Sequence, residues 1–324
     1  MAKIIMKILG GFTIFLLGVV FITWFFWIPS ASGPGYVFVK AWGEKGSAPG
    51  QFNDPIGLAV HKGEVFASDS RNGRIQVFDF DGKFKRQISS KGDGLDQLGR
   101  PMNLTIAGNE LYVADFMNDR IQVFGLDGVY KRSIGKAGKG PGEFGSPGGV
   151  AVAPNGDIFV ADFYGQRIQQ LRADGSFVKQ WGKTGKIGFL AGEFNYPTDV
   201  ALAADGTLFM ADGYNDRIQV FGADGQFLRK WGGPLAINIF GPFNGWFATV
   251  TSIDLDKQGN VFIADFYNNR IQKFTPDGTF LTSIGERGKG PGQLEKAIAV
   301  AVADDGTVFA ADFRNNRIQK WRPE

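Results

Sequence analysis

Short apolar runs alternate with polar, glycine-containing turns along almost the whole chain after residue 35. In one stretch the runs fall at residues 149–153, 158–162, 167–172 and 176–181. Runs of this length, bounded by turn residues, predict strands rather than helices. Asn155-Gly156 and Asp174-Gly175 lie between them. Both dipeptides accept the positive φ of a tight hairpin turn, so the four runs read as one antiparallel sheet. The same signal recurs at Asp81-Gly82, Asp127-Gly128, Asp205-Gly206, Asp224-Gly225, Asp277-Gly278 and Asp305-Gly306.

The sheet is one unit of a repeat. An Asp recurs at Asp69, Asp115, Asp162, Asp212, Asp265 and Asp312, at intervals of 46, 47, 50, 53 and 47 residues. Five places on stand Arg74, Arg120, Arg167, Arg217, Arg270 and Arg317, each followed by Ile-Gln. An Asn precedes the Arg by two positions in five copies (Asn72, Asn118, Asn215, Asn268, Asn315), with Gly165 in the remaining one. Four strands per unit at this period predict a radial propeller of four-stranded blades. The outermost strand carries an aromatic four residues before Ile or Trp: Phe84/Ile88, Tyr130/Ile134, Phe177/Trp181, Phe227/Trp231 and Phe280/Ile284. The sixth unit stops after its third strand, at Trp321, and the missing pair is found at the other end as Phe38/Trp42. The predicted fold is therefore all-β, a six-bladed β-propeller over residues 36–324 closed by an N-terminal strand. Closure leaves no long unpaired edge.

Residues 8–28 form an uncharged apolar run of 21 residues, long enough for one transmembrane helix. Lys3 and Lys7 precede it and the next charge is Lys40, which places the N-terminus in the cytoplasm and the propeller outside. This divides the chain into a cytoplasmic tip and anchor helix (1–29), a short linker (30–35) and the propeller. The expected location is the inner (cytoplasmic) membrane, with the propeller in the periplasm or another extracytoplasmic space. Trp24 and Trp27 fall where an aromatic belt would lie. A cleaved signal peptide is the alternative, with small residues at Ser30-Ala31-Ser32. Signal peptides carry apolar stretches of about 7–15 residues, which favours the uncleaved anchor. The closing strand starts on the side of the Asp-Gly turns. The motif loops and inter-blade loops are accordingly expected to face away from the bilayer or sideways.

Composition narrows the chemistry. A net charge of +3, from 35 basic and 32 acidic residues interspersed, lacks the concentrated basic footprint of a nucleic-acid surface. Cysteine is absent and His61 is the only histidine, which removes disulfides and the usual transition-metal ligand sets. No metal, cofactor or nucleic acid is expected.

The motif Asp-x-x-Asn-x-Arg-Ile-Gln, preceded by Pro-x-x-(Val/Leu)-Ala-Val and Gly-x-(Val/Ile/Leu)-(Phe/Tyr)-(Val/Ala/Ile), resembles the NHL repeat, and the resemblance runs from Phe52 to the C-terminus. It implies a six-bladed propeller presenting a binding face. The family includes substrate-binding ends of tripartite-motif ubiquitin ligases, RNA-binding developmental regulators, extracellular sensor domains of bacterial kinases and a peptide-amidating lyase. Fold alone does not choose among these.

Each Asp ends a second strand and its Arg opens the third. The six pairs are expected to be structural, with the guanidinium satisfying both carboxylate and turn carbonyls. The residues after each Asp are loop tips, and Tyr164, Tyr214 and Tyr267 are candidates for partner contact. Two inter-blade loops break the period. From the Trp or Ile of the fourth strand to the aromatic or Leu before the next repeat is usually ten residues, but Trp181 to Phe194 is 13 and Trp231 to Phe247 is 16. The inserted residues are apolar: Phe189 and Leu190 in one loop, Leu235, Ile237, Ile239, Phe240, Phe243 and Trp246 in the other. Insertions in repeat proteins collect on one face, often the binding face.

Catalysis reads poorly. The first-strand positions nearest the channel are Gly57, Asn103, Gly149, Asp199, Ser252 and Ala299, a poor cage for calcium. His61 cannot supply the histidine-rich zinc site of the amidating relatives. The expected function is a membrane-anchored, non-catalytic scaffold subunit, held in the lipid bilayer through residues 8–28 and docked on a membrane protein complex. A respiratory or photosynthetic complex fits. A sensor or ligand-binding propeller is the alternative reading, and a metal-dependent hydrolase or lyase ranks third.

Overall fold

The computed structural model describes residues 10, 11, 13–18 and 28–324. It contains six four-stranded antiparallel sheets. The innermost strands of successive blades touch in a closed ring, the sixth against the first. In blade 3 the strands are Pro147–Val152, Ile158–Asp162, Arg167–Leu171 and Phe177–Gly182, within two residues of the sequence expectation. Gly156 and Gly175 hold φ of 88° and 87° in the two turns between them, the conformation for which the Asn-Gly and Asp-Gly pairs are suited.

Blade 6 is completed as predicted. Its sheet joins Tyr36–Trp42 to Arg317–Pro323, with Tyr36 opposite Pro323 and Trp42 opposite Ile318. Trp42 then packs on Phe78 of blade 1 and Phe309 of blade 6, with ring centroids 6.0 and 6.1 Å apart.

The core is distributed as one apolar cluster at each blade interface. Between blades 4 and 5, Phe209, Ile218 and Val220 meet Phe247, Ile253 and Phe274. The residue that closes each inter-blade loop (Phe52, Leu98, Phe144, Phe194, Phe247, Leu294) is fully buried in such a cluster. Each blade buries both faces of its sheet, and this is why its inner strands read as nearly continuous apolar runs.

The repeated Asp–Arg pairs fasten these loops. Arg167 Nε donates to Asp162 Oδ2 at 2.8 Å while its Nη2 donates to the carbonyls of Gly140 and Glu143 in the incoming loop. Gln169, two residues on, donates to the same Glu143 carbonyl and to Asp162. The other carboxylate oxygen accepts from the Gly145 amide at 2.6 Å. Burial pushes the Asp162, Asp212 and Asp312 carboxyls upward, and the arginine and amide donors oppose it. In blade 2 the pair is looser, with Arg120 Nε 3.6 Å from Asp115.

The expected anchor over residues 8–28 lies largely outside the described residues; Gly10, Gly11 and 13–18 are helical. Among the described residues no helix is long and apolar enough to cross a membrane. The linker runs where the sequence did not predict. Ser32 and Gly33 amides both donate to the Leu281 carbonyl, laying the chain along the outer strand of blade 5. Pro29 then reaches the long inter-blade loop, where the Asn244 side chain donates to its carbonyl at 3.1 Å. The linker thus brings Pro29 to the inter-blade loop between blades 4 and 5. The linker doubles back along a neighbouring blade instead of leaving straight from Tyr36.

Candidate functional site: an apolar and aromatic loop face

Four inter-blade loops share one construction. A parallel bridge closes each of them (Lys45–Phe52, Lys91–Leu98, Ala137–Phe144, and Glu286–Arg287 with Gln293–Leu294). Within each, a Gln or Glu side chain caps the turn by accepting from an amide three residues back: Gln51 from Ala48, Gln97 from Gly94, Glu143 from Gly140 and Gln293 from Gly290.

The loop between blades 4 and 5 departs from this plan. Trp246 occupies the capping position, and its ring packs edge-on against Phe243 with centroids 5.0 Å apart. No charged residue occurs from Trp231 through Ile253. Leu235 and Phe240 are 67% and 71% exposed, and Ile237, Ile239 and Phe243 are exposed beside them. Trp246 itself is buried, so it supports the loop from beneath and is removed from the set of contact residues expected from sequence.

The shorter insertion joins the longer one through Arg217. This guanidinium is wholly buried and pairs with Asp212 at 2.7 Å. It also donates to the carbonyls of Phe189 and Leu190 in one loop and of Ala236 in the other. Phe189 and Leu190, both exposed, thus lie next to the long loop and not on a separate surface. With its amide nitrogen turned toward them, Asn238 reaches Asp216 Oδ2 at 2.7 Å and the Tyr214 carbonyl at 3.2 Å. Phe240, Pro242 and Phe243 face Tyr267 and Asp216 across a surface cleft of about 560 Å³. Lys296 Nζ sits 3.9 Å from the Tyr267 ring centroid, a close cation–π contact.

A strip of rings in tilted and edge-to-face contact continues the face over blades 2 to 4. Phe116 meets Tyr164 at 5.9 Å, Tyr164 meets Tyr196 at 5.9 Å, and Tyr196 meets Tyr214 at 5.2 Å. Phe163 packs on Tyr196 at 4.8 Å from below and is half-buried, whereas Tyr164, Tyr214 and Tyr267 are exposed. Tyr196 was not singled out from the sequence. Its signal was available: it is the only aromatic at the position before the first strand, where the other blades have Asp54, Arg100, Ser146, Thr249 and Lys296.

The channel is built differently. Asn103, Asp199, Ser252 and Asp254 line a cavity of about 310 Å³ at the ring centre. Asp199 accepts from the Val200 and Ile253 amides, both at 3.0 Å, and Asp254 from the Leu255 and Val302 amides at 2.8 and 2.7 Å. Burial pushes Asp199 up to about 7 and Asp254 up to about 6. The two carboxyls tie blade 4 to blade 5 and blade 5 to blade 6. Among the described residues no group of three or more His, Cys, Asp or Glu is arranged to hold a metal ion.

The same architecture is found in known proteins. Residues 96–184 match a family described as a 6-bladed beta-propeller, and residues 52–78 and 247–274 match the NHL repeat. The chain is a six-bladed β-propeller, two segments of which match the NHL repeat. B-box type zinc finger protein ncl-1 of Caenorhabditis elegans is 50% identical over 46 residues, covering 14% of this chain and 5% of that protein. E3 ubiquitin-protein ligase TRIM32 of Homo sapiens is 50% identical over 50 residues, covering 15% of this chain and 8% of that one. The matched segment thus spans less than a tenth of either relative. Virginiamycin B lyase from Staphylococcus aureus superposes with a TM-score of 0.56 at 17% identity, over 89% of this chain and 99% of the lyase. At that identity the likeness is one of fold.

Proposed function

We propose that this chain is a membrane-anchored, non-catalytic binding subunit whose propeller docks a protein partner of a membrane complex. The observation that carries the reading is the continuous face formed by the two apolar insertions and the tyrosine strip. An exposed apolar patch rimmed by polar residues marks an interaction site, and aromatic residues are the favoured anchors of such sites. The segments of TRIM32 and ncl-1 that match this chain occur within much larger proteins, which accords with a binding module. For the anchor, the support is the uncharged run 8–28 and the exposed Ile14, Phe15, Leu16 and Leu17 in its described helical part. Against catalysis stand the lone histidine and the channel carboxylates, whose oxygens already accept backbone amides.

Photo-crosslinking in native membranes tests the docking face. A photoreactive residue at Tyr164 or at Tyr214 is expected to give one discrete adduct with the same partner, while the same probe at Val129, exposed in a hairpin turn, gives none. A diffuse ladder, or equal labelling from all three positions, contradicts the reading.

A further inference from the structure

The two apolar insertions and the exit of the N-terminal run occupy one corner of the propeller. Pro29 stands one residue beyond the 8–28 run, and its carbonyl accepts the Asn244 side chain of the long loop at 3.1 Å. Its ring also lies against Gly245, where an added Cβ would meet it at 3.3 Å. A bilayer holding residues 8–28 would therefore meet the loop that carries Leu235 and Phe240.

The chemistry of that loop fits lipid. Its exposed tips are Leu235, Ile237, Ile239 and Phe240, whose side chains carry no hydrogen-bonding group, and Asn238 among them turns inward to Asp216. The corresponding loops elsewhere place charges in the same stretch: Glu44 and Lys45, Lys91 and Asp93, Lys136 and Lys139, Glu286 and Arg287. Protein interfaces mix such apolar anchors with polar rims and direct hydrogen bonds, which the tyrosine strip supplies and these tips do not. Long apolar side chains beside cationic ones are the make-up of surfaces that enter the headgroup boundary. The neighbouring insertion has exposed Lys186 immediately before Ile187, Phe189 and Leu190, while Lys183 nearby pairs with Glu193 at 2.6 Å.

We propose that the loop tips at Leu235–Phe240 and Phe189–Leu190 form a lipid-contacting ridge that enters the interfacial layer of the membrane anchoring the chain. The inference rests on the anchored reading and divides the docking face. The ridge meets lipid and fixes the tilt of the propeller, and the tyrosine strip is left for the protein partner. The loop between blades 1 and 2, opposite in a six-membered ring, then points away from the membrane.

The absence of cysteine makes the test direct. Single-cysteine variants F240C, L190C and L95C of the full chain are labelled with an environment-sensitive fluorophore. They are reconstituted into vesicles of phosphatidylcholine and phosphatidylglycerol that contain lipids spin-labelled near the headgroup. Leu95 is the matched control, 67% exposed in the opposite inter-blade loop. Labels at 240 and 190 are expected to shift to the blue and lose most of their emission to the quencher, while the label at 95 does neither. Vesicle flotation of the same samples separates the two ideas. Flotation with an unquenched label at 240 overturns the ridge and leaves the anchor standing; failure to float overturns both. A blue shift at 240 that needs native membranes and is absent in pure lipid also overturns the ridge and assigns the patch to a protein.

Discussion

Arg217 pairs with Asp212 at 2.7 Å with both side chains wholly buried, and the same guanidinium holds the carbonyl of Ala236 at 3.2 Å. A repeated structural pair has here been extended to fasten two insertions that the other blades lack. The consequence is that stability and the shape of the docking face depend on one residue.

Arg217→Met is expected to destabilise the propeller by about 3–5 kcal/mol, because it strands a buried carboxylate. Arg120→Met should cost clearly less, since Arg120 lies 3.6 Å from Asp115 and keeps some solvent access. Urea denaturation of the two variants measures the difference. Equal losses would show that the blade-4 pair has no special role.

The closing strand makes a second prediction. Trp42 is half-buried between Phe78 and Phe309, and Trp42→Ala is expected to cost about 2–4 kcal/mol. Val39→Ala, on the exposed side of the same strand, should cost under about 1 kcal/mol. Amide exchange over residues 36–42 should accelerate in the first variant and stay slow in the second. Unchanged exchange in W42A would mean that the ring does not rely on this strand.

Blade count, closure and the Asp–Arg pairs were legible because each repeats six times or completes a sixfold count, and each corresponds to a direct contact. The path of the linker was not legible. Its docking on Leu281 uses backbone amides of Ser32 and Gly33, which leave no side-chain pattern to read. Trp246 looked like a contact residue because it lies in an apolar insertion. Only its alignment with Gln51, Gln97, Glu143 and Gln293 reveals a turn-supporting position. Tyr196 was missed for the opposite reason, as a single departure at a position that varies in every blade.

The channel carboxyls give a pH dependence of definite sign. Asp199 rises from an ordinary value of 3.8 to about 7 in the folded chain. The folded state therefore holds this proton more tightly than the unfolded one. The stability that Asp199 contributes is full below about pH 4 and is lost as pH climbs through 7. Asp199→Asn removes that titration. Relative to wild type, D199N should gain about 2–3 kcal/mol between pH 5 and pH 8, at roughly 1.4 kcal/mol per unit. Urea midpoints of both proteins at the two pH values test this, and parallel curves would contradict it.

Extraction of native membranes in mild detergent, followed by a native gel, tests whether the chain is a membrane-anchored binding subunit. The full chain is expected to migrate with one larger assembly in fixed proportion. A Y164A/Y214A variant that still folds should leave that assembly and run alone in detergent. Migration of the wild-type chain as a lone monomer, or release into the aqueous phase without detergent, would overturn that role.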